Sequence, residues 1–316
     1  MTHPRCSDDD FIRMFKNLGS ITLVAKELDM SVRATNTRRA NIEKRYGIEL
    51  RAAEAQVRIK EMDFLEHNMD DGIIATCSDL HCWPGELTTA QKAFLSTVKH
   101  MKPVVVCLNG DIFDGAKASR WGSAEWNTLP SVNDELRACR EYLAKIKAVA
   151  PKKARFIFVM GNHDNRFIRK LCEGSPEFSG VFGFDLRDHF PGWEFCYRFT
   201  VNPGKESMTD FVHNWANGTH AAYNNVLRSG CNYVTGHTHR LLDRPFMDRT
   251  GRRYGIETGT LTDIDGPQSY YVAGRPVDWG SGFPVLTYKQ GRLLRPEYVD
   301  VIGKNTISFR SQIVKV

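Results

Sequence analysis

The chain has 316 residues and a net charge of +6, with 41% hydrophobic and 25% charged side chains, proportions ordinary for a globular protein able to bury a full core. No stretch approaches the roughly 20 apolar residues that span a bilayer, and the amino terminus, Met1 to Cys6, carries no apolar signal core. Eight cysteines lie at no framework spacing, several inside apolar runs (Cys77, Cys107, Cys231), so a reduced, cytoplasmic protein without a membrane partner is expected. The positive excess is uneven: residues 31–60 carry eight Lys and Arg against three Glu.

In chain order, residues 8–18 predict a short helix with an acidic start and with Phe11, Met14, Phe15 and Leu18 at helical spacing. Gly19 ends it. Ser20 predicts the cap of a second helix carrying Leu23, Val24, Ala25 and Leu28, and Asp29-Met30 a tight turn. Ser31 caps a third, basic helix through Arg33, Arg38, Arg39 and Lys44, which stops near Gly47. Helix, short turn, basic helix resembles the helix-turn-helix domains of DNA-binding proteins, especially over Thr22 to Ser31, although Asp29 stands where such turns usually carry glycine. That resemblance implies a small all-α domain over residues 1–50 whose Arg33, Arg38, Arg39 and Lys44 contact DNA; the competing reading is a helical subdomain with a solvated basic face.

Residues 51–71, rich in Ala, Glu, Arg and Lys, read as a linker or connecting helix. From residue 72 the texture changes to alternating strands and helices: strands at 72–77, 104–108 and 156–160, helices at 88–100 and 132–149. Shorter strands follow at 194–201, 208–212, 232–235, 254–258 and 283–288, the last turning through Lys289-Gln-Gly-Arg into a hairpin. Long loops at 115–131, with Trp121 and Trp126, and at 262–282 are placed to line a substrate groove.

Five predicted strand ends finish in polar clusters: Asp79-Leu-His81, Gly110-Asp111-Ile-Phe-Asp114, Gly161-Asn162-His163-Asp164, His213, and Gly236-His237-Thr-His239. Oxygen and imidazole donors without a thiolate cluster suit Mn²⁺, Fe or Zn²⁺ better than Ca²⁺, and the donors are too many for one ion. Two ions about 3.5–4 Å apart would use them all and clamp a phosphate. The ordered five-part pattern, spanning roughly residues 72–300, resembles the calcineurin-like metallophosphoesterases.

The resemblance implies a four-layer αββα sandwich over residues 72–316, with Asp79, His81 and His239 on one metal, Asn162, His213 and His237 on the other, and Asp111 bridging. His163 would stand beside the leaving group without binding metal, Asp164 would orient it, and Asp114 would brace its loop. Mn²⁺ is the metal expected, with Fe, Zn²⁺ and Ni²⁺ as alternatives. The chemistry implied is hydrolysis of a phosphoester by hydroxide generated at the metals, with His163 as proton donor to the departing alkoxide. Arg166, directly after the third motif, is placed to contact a substrate phosphate or to make a surface salt bridge. The basic amino terminus points to DNA, hence to a nuclease or nickase of phage type working in the host cytoplasm. Trp121 and Trp126 would stack on bases or pack a lid. A phosphomonoesterase is the alternative enzyme, and a DNA-binding regulator with a vestigial catalytic domain the alternative from another class.

Overall fold

In the computed structural model, residues 6–18, 20–50, 64–119, 129–272 and 275–316 are described. The chain divides into two compact units, Met1–Asp63 and Phe64–Val316. Gly19, most of the expected linker, and Trp121 and Trp126 lie outside the described residues.

The first unit is three helices, α1 (Asp8–Leu18), α2 (Ile21–Glu27) and α3 (Val32–Tyr46). Three aspartates sit at the positive end of α1. The Ser31 hydroxyl accepts the Ala34 amide at 3.2 Å to start α3, and Gly47 ends it in the left-handed region. Asp29 takes φ 46° between α2 and α3, a conformation glycine would adopt freely and aspartate tolerates. Phe11, Phe15, Val24, Leu28, Ile42 and Leu50 form a small core.

That core divides the basic residues of α3. Arg38 and Arg39 share the inward side with Thr35 and Ile42, three or four residues away. Arg38 donates to the Cys6 carbonyl at 2.6 Å with its guanidinium 5.1 Å from the Phe11 ring, and Arg39 lies 5.8 Å from the Phe15 ring beside Glu43. Arg33 and Lys44 are exposed, on the side that also shows Asn36, Thr37 and Asn41. The four basic residues expected to act together therefore do two different jobs. Two of them hold α3 to α1.

The second unit opens with β1 (Phe64–His67), which pairs in parallel with residues 198–201, so part of the expected linker is an edge strand. Four residues with exposed Phe64 at one end gave too short a pattern to read. β2 (Gly72–Cys77), β3 (Val105–Asn109), β4 (Arg155–Val159) and β5 (Glu194–Cys196) are parallel neighbours. The chain then crosses at Tyr197 into β6 (Arg198–Val201) of the other sheet, so the single strand expected at 194–201 is two. β7 (Thr209–Phe211), β8 (Asn232–Thr235), β9 (Leu241–Asp248) and β10 (Gly251–Thr258) complete a six-stranded sheet ordered β1-β6-β7-β8-β10-β9. β11 (Gly282–Lys289), β12 (Arg292–Leu293), β13 (Glu297–Gly303), β14 (Thr306–Phe309) and β15 (Gln312–Lys315) extend the other sheet antiparallel from β2, to nine strands.

Period-two alternation assigns the faces. Ile74, Val105, Cys107, Ile157 and Val159 meet Phe199, Val201, Phe211, Val234 and Ile256 between the sheets. The alternate residues Ala75, Cys77, Val106, Leu108 and Phe158 turn outward onto α4 (Thr89–Met101) and α5 (Val132–Val149). Thr88 and Gln91 form a capping box at the start of α4. α6 (Asp164–Gly174) follows β4 directly, and α7 (Ala221–Ser229) packs on β8 and β10. The unit is a four-layer αββα sandwich, as the motifs implied.

Candidate metal centre

Because β2, β3 and β4 are parallel and in register, their carboxyl ends deliver three polar loops to one edge. The first two loops are zipped together: the Asp79, His81 and Cys82 amides donate to the carbonyls of Gly110, Asp111 and Ile112 at 2.9–3.0 Å. Asn109, at the end of β3, donates from Nδ2 to Val212 at 3.4 Å and Val234 at 3.2 Å. That draws the ends of β7 and β8, with His213 and His237, to the same place. The approach is close enough to require glycine. A Cβ on Gly110 would strike the His213 ring, and one on Gly161 would strike the Asp111 amide and carboxylate. The candidate ligands are held in strained backbone: Asp79, His81, Asp111, His237 and His239 have φ of 51°, 40°, 55°, 69° and 59°. Such conformations cost on the order of 1–3 kcal/mol each and persist where surrounding structure imposes them.

Three trios of donors result, Asp79–His81–His239, Asp111–His213–His237 and, sharing His81 with the first, His81–Asp114–His163, each within 4.8 Å of one another. His239 Nε2 is 3.1 Å from Asp79 Oδ1, and His213 Nε2 is 3.0 Å from Asp111 Oδ2. Yet Asp79 Oδ1, His81 Nε2, Asn162 Oδ1 and His213 Nε2 are buried without a hydrogen bond. Buried polar atoms are almost always satisfied, so a convergent set left open is a cradle for cations. The opposite ring nitrogens fix the aim: His213 Nδ1 bonds the Asn109 carbonyl at 2.8 Å and His81 Nδ1 bonds Asp114 at 2.9 Å. Both Nε2 atoms thus face the centre. The residues present fit two divalent ions, and the mixed oxygen and imidazole set matches borderline metals.

The charges agree. Burial works to raise Asp79 and Asp111, but His239 and His213 respectively hold both well below the ordinary carboxylate range. Burial likewise opposes the charged form of His213, and the Asp111 carboxylate overrides it, raising that imidazole to about 9. The pocket is a field that wants positive charge.

Two expected roles exchange places. Asp164 does not reach His163; its carboxylate accepts the amides of Asp111, Ile112, Phe113 and Gly161 at 2.8–3.0 Å, locking the second and third loops together. Burial, then the charge of Asp111, pushes it up to about 7, against the pull of those four donors. Asp114, expected to brace its loop, is the residue that orients the imidazoles: Oδ1 lies 2.7 Å from His163 Nδ1 and 2.9 Å from His81 Nδ1. Burial notwithstanding, His163 and His81 hold it well below the carboxylate range. The sequence offered a signal, since Asp114 stands three residues beyond Asp111, but two carboxylates equally near a histidine cannot be told apart without the loop's path.

His163 shares a third trio with His81 and Asp114 and closes the site from one side, its ring 4.5 Å from His81 and edge-on. Arg166 is tied in rather than free: it donates to His163 Nε2 at 2.8 Å and to the Asp114 carbonyl at 2.9 Å. His163 therefore carries its proton on Nδ1, and burial holds it below the ordinary imidazole value. Trp279, from the expected long loop, packs 4.3 Å from His239, ring centre to ring centre.

A family model described as calcineurin-like phosphoesterase matches residues 73–256, more than half of the chain. The chain belongs to that family. Dinuclear metal dependence is a property of these phosphoesterases, and the described residues of this chain include candidate metal-ligand groups. The Gene 54 protein of Mycobacterium phage D29 is 29% identical over 230 residues, covering 67% of this chain and 87% of that protein. The Gene 54 protein of Mycobacterium phage L5 is 27% identical over 239 residues with the same coverage. Among solved structures, Entamoeba histolytica Vps29 complexed with zinc is similar with TM-score 0.39 and 13% identity, over 77% of this chain and 98% of that one. The E. coli phosphoesterase Yfce gives 0.34 and 13%, over 77% and 96%. Likeness at that level carries no argument here; membership rests on the family model. Among the described residues no helix is long and apolar enough to cross a membrane.

Proposed function

We propose that this phosphoesterase is a phage-encoded hydrolase of DNA phosphodiester bonds, a nuclease or nickase that uses Mn²⁺. The observation that carries the choice of DNA is the exposed side of α3, where Arg33 and Lys44 flank Asn36, Thr37 and Asn41 in a helix-turn-helix-like unit. Cations there neutralise backbone phosphates, and amides read base edges. The mycobacteriophage relatives support a phage setting.

Asp79, His81 and His239 would hold one ion, Asn162, His213 and His237 the other, and Asp111 would lie between them. The ions, when bound, supply an activated water and the positive charge that phosphoryl transfer needs. The chain supplies the rest. Asp114 holds Nδ1 of both His81 and His163, which leaves His81 Nε2 for the centre and His163 Nε2 for Arg166. Arg166 is parked on His163 Nε2, and a phosphoryl oxygen entering beside Asn162 takes that N–H instead. Nε2, released, takes up a proton from solvent, and the imidazolium, with Nδ1–H held by Asp114, gives that proton to the departing oxygen.

The test is metal-stripped protein with added Mn²⁺ on supercoiled plasmid, a bis-aryl phosphodiester and an aryl phosphomonoester, beside His163→Ala and Asp111→Asn. Mn²⁺-dependent plasmid nicking lost in both variants is the expected result. Turnover of the monoester with intact plasmid contradicts it and makes the protein a phosphomonoesterase.

A further inference from the structure

On the solvent side of Asn162 lies a cleft of about 390 Å³ whose wall is one face of α6. Arg166, Arg169, Lys170 and Glu173 line it, at the i, i+3, i+4, i+7 spacing that puts side chains on a single helical stripe, with Ala118 opposite. Its volume is in the range of small-ligand sites. Arg166 is anchored at the metal end by His163 and Asp114. Arg169 and Lys170 are exposed, and among the described residues neither has a carboxylate within ion-pair distance. From Arg166 to Lys170 the helix rises about 6 Å, the order of one nucleotide step. Glu173, one turn further, closes the stripe with negative charge.

We propose that this cleft seats the phosphate adjacent to the scissile one on a single DNA strand, held by Arg169 and Lys170. The inference rests on the DNA reading above and deepens it. Two cations with no carboxylate partner among the described residues, beside a site for one phosphoryl group, call for a second anion at a fixed distance, and a polynucleotide carries its anions that way. Glu173 limits the extent: the cleft takes one further phosphate, and a longer strand gains nothing more from it. An aryl phosphodiester has no second phosphate and leaves the cleft unused.

The experiment compares wild type with an Arg169→Gln/Lys170→Gln double variant, both exposed positions, with Mn²⁺ present. Substrates are bis(p-nitrophenyl) phosphate, thymidylyl-thymidine and the trithymidylate d(TpTpT). The expected result is a wild-type kcat/KM about tenfold or more higher on the trithymidylate than on the dithymidylate, as one charge-assisted hydrogen bond provides. The double variant should erase that difference and leave the aryl diester unchanged. In parallel, fluorescein-labelled d(TpTpT) is bound to the metal-free proteins across a salt series. The double variant should flatten the slope of log affinity against log salt by about 0.7, one single-strand phosphate. Equal wild-type rates on di- and trithymidylate, or equal losses on all three substrates in the variant, overturn the inference while leaving the DNA reading intact. Turnover of the aryl diester with neither thymidylate cleaved overturns both.

Discussion

The strand-end cluster and the amino-terminal helices each present polar side chains at regular spacing, but the chain treats them differently. At the strand ends the backbone leaves no choice. Loops zipped amide to carbonyl, glycines without room for a Cβ, and five candidate ligands at positive φ fix each donor to one place. In α1–α3 the backbone is ordinary helix, and the fate of each arginine depends on which side of α3 it falls. Arg38 and Arg39 are drawn onto α1 while Arg33 and Lys44 stay out. A strained scaffold makes position certain. A regular helix makes periodicity certain and leaves partners to packing.

The largest effects should come where the scaffold is most constrained. Asp111→Asn should keep the fold and lose metal binding and turnover by more than the roughly 10–100-fold typical of supporting partners, read by calorimetric Mn²⁺ titration and aryl diester hydrolysis. Loss within that range would make Asp111 a supporting residue and break the contrast. Asp114→Asn should fall inside that window of about 10–100-fold, through misaimed His81 and His163. Asp164→Asn should act by another route. Its amide group cannot accept all four backbone N–H groups, so thermal unfolding should show a loss of about 1–3 kcal/mol per donor left unsatisfied, with turnover per folded molecule little changed.

The pH dependence comes from the same field. A ligand imidazole must be neutral to bind metal, and Asp111 raises His213 to about 9 in the metal-free protein. Mn²⁺ affinity should therefore climb as pH rises towards 9, on the order of tenfold per unit for one displaced proton. Metal-free stability should move the opposite way. The raised His213 value contributes stabilisation that is complete below the unfolded value near 6.5 and is lost as pH passes about 9. Titrations at pH 6.5 and 8.5, with melting curves at each, check both signs; a flat affinity would mean that the proton is not the competitor.

The smallest effects sharpen the other half of the comparison. Arg38→Ala should lower the stability of the amino-terminal unit by about 1 kcal/mol and leave the salt dependence of DNA binding unchanged. Arg33→Ala with Lys44→Ala should leave melting unchanged and flatten the salt slope by about 0.9 for each duplex phosphate that is no longer neutralised. Exchange of those two outcomes would mean that the inward and outward sides of α3 have been assigned backwards.

How far the molecule could be read in advance follows from the same physics. Apolar runs ending in Asp, Asn and His marked the carboxyl ends of β2, β3, β4, β7 and β8, because a buried strand and its polar stop are both local in sequence. α5 and β8 were legible to the residue for the same reason. α6 and α7 were not: α6 begins inside the Asn162–Asp164 motif, and α7 is nine residues whose apolar side is mostly alanine. β9, β13 and β15 carry charged or exposed residues at most positions, and β14 is only four residues long. Sequence marked both Asp114 and Asp164 but could not decide between them. Their exchange is decided by a loop that carries one carboxylate under four amides and the other against two imidazoles.

The central claim is that seven side chains from five strand ends build one centre for two ions. Anomalous diffraction from crystals of the protein grown with Mn²⁺ tests it most directly. Two peaks are expected about 3.5–4 Å apart, one within bonding distance of Asp79, His81 and His239, the other of Asn162, His213 and His237, with Asp111 reaching both. A single peak, or an ion bound by Asp114 and His163 instead, would contradict it.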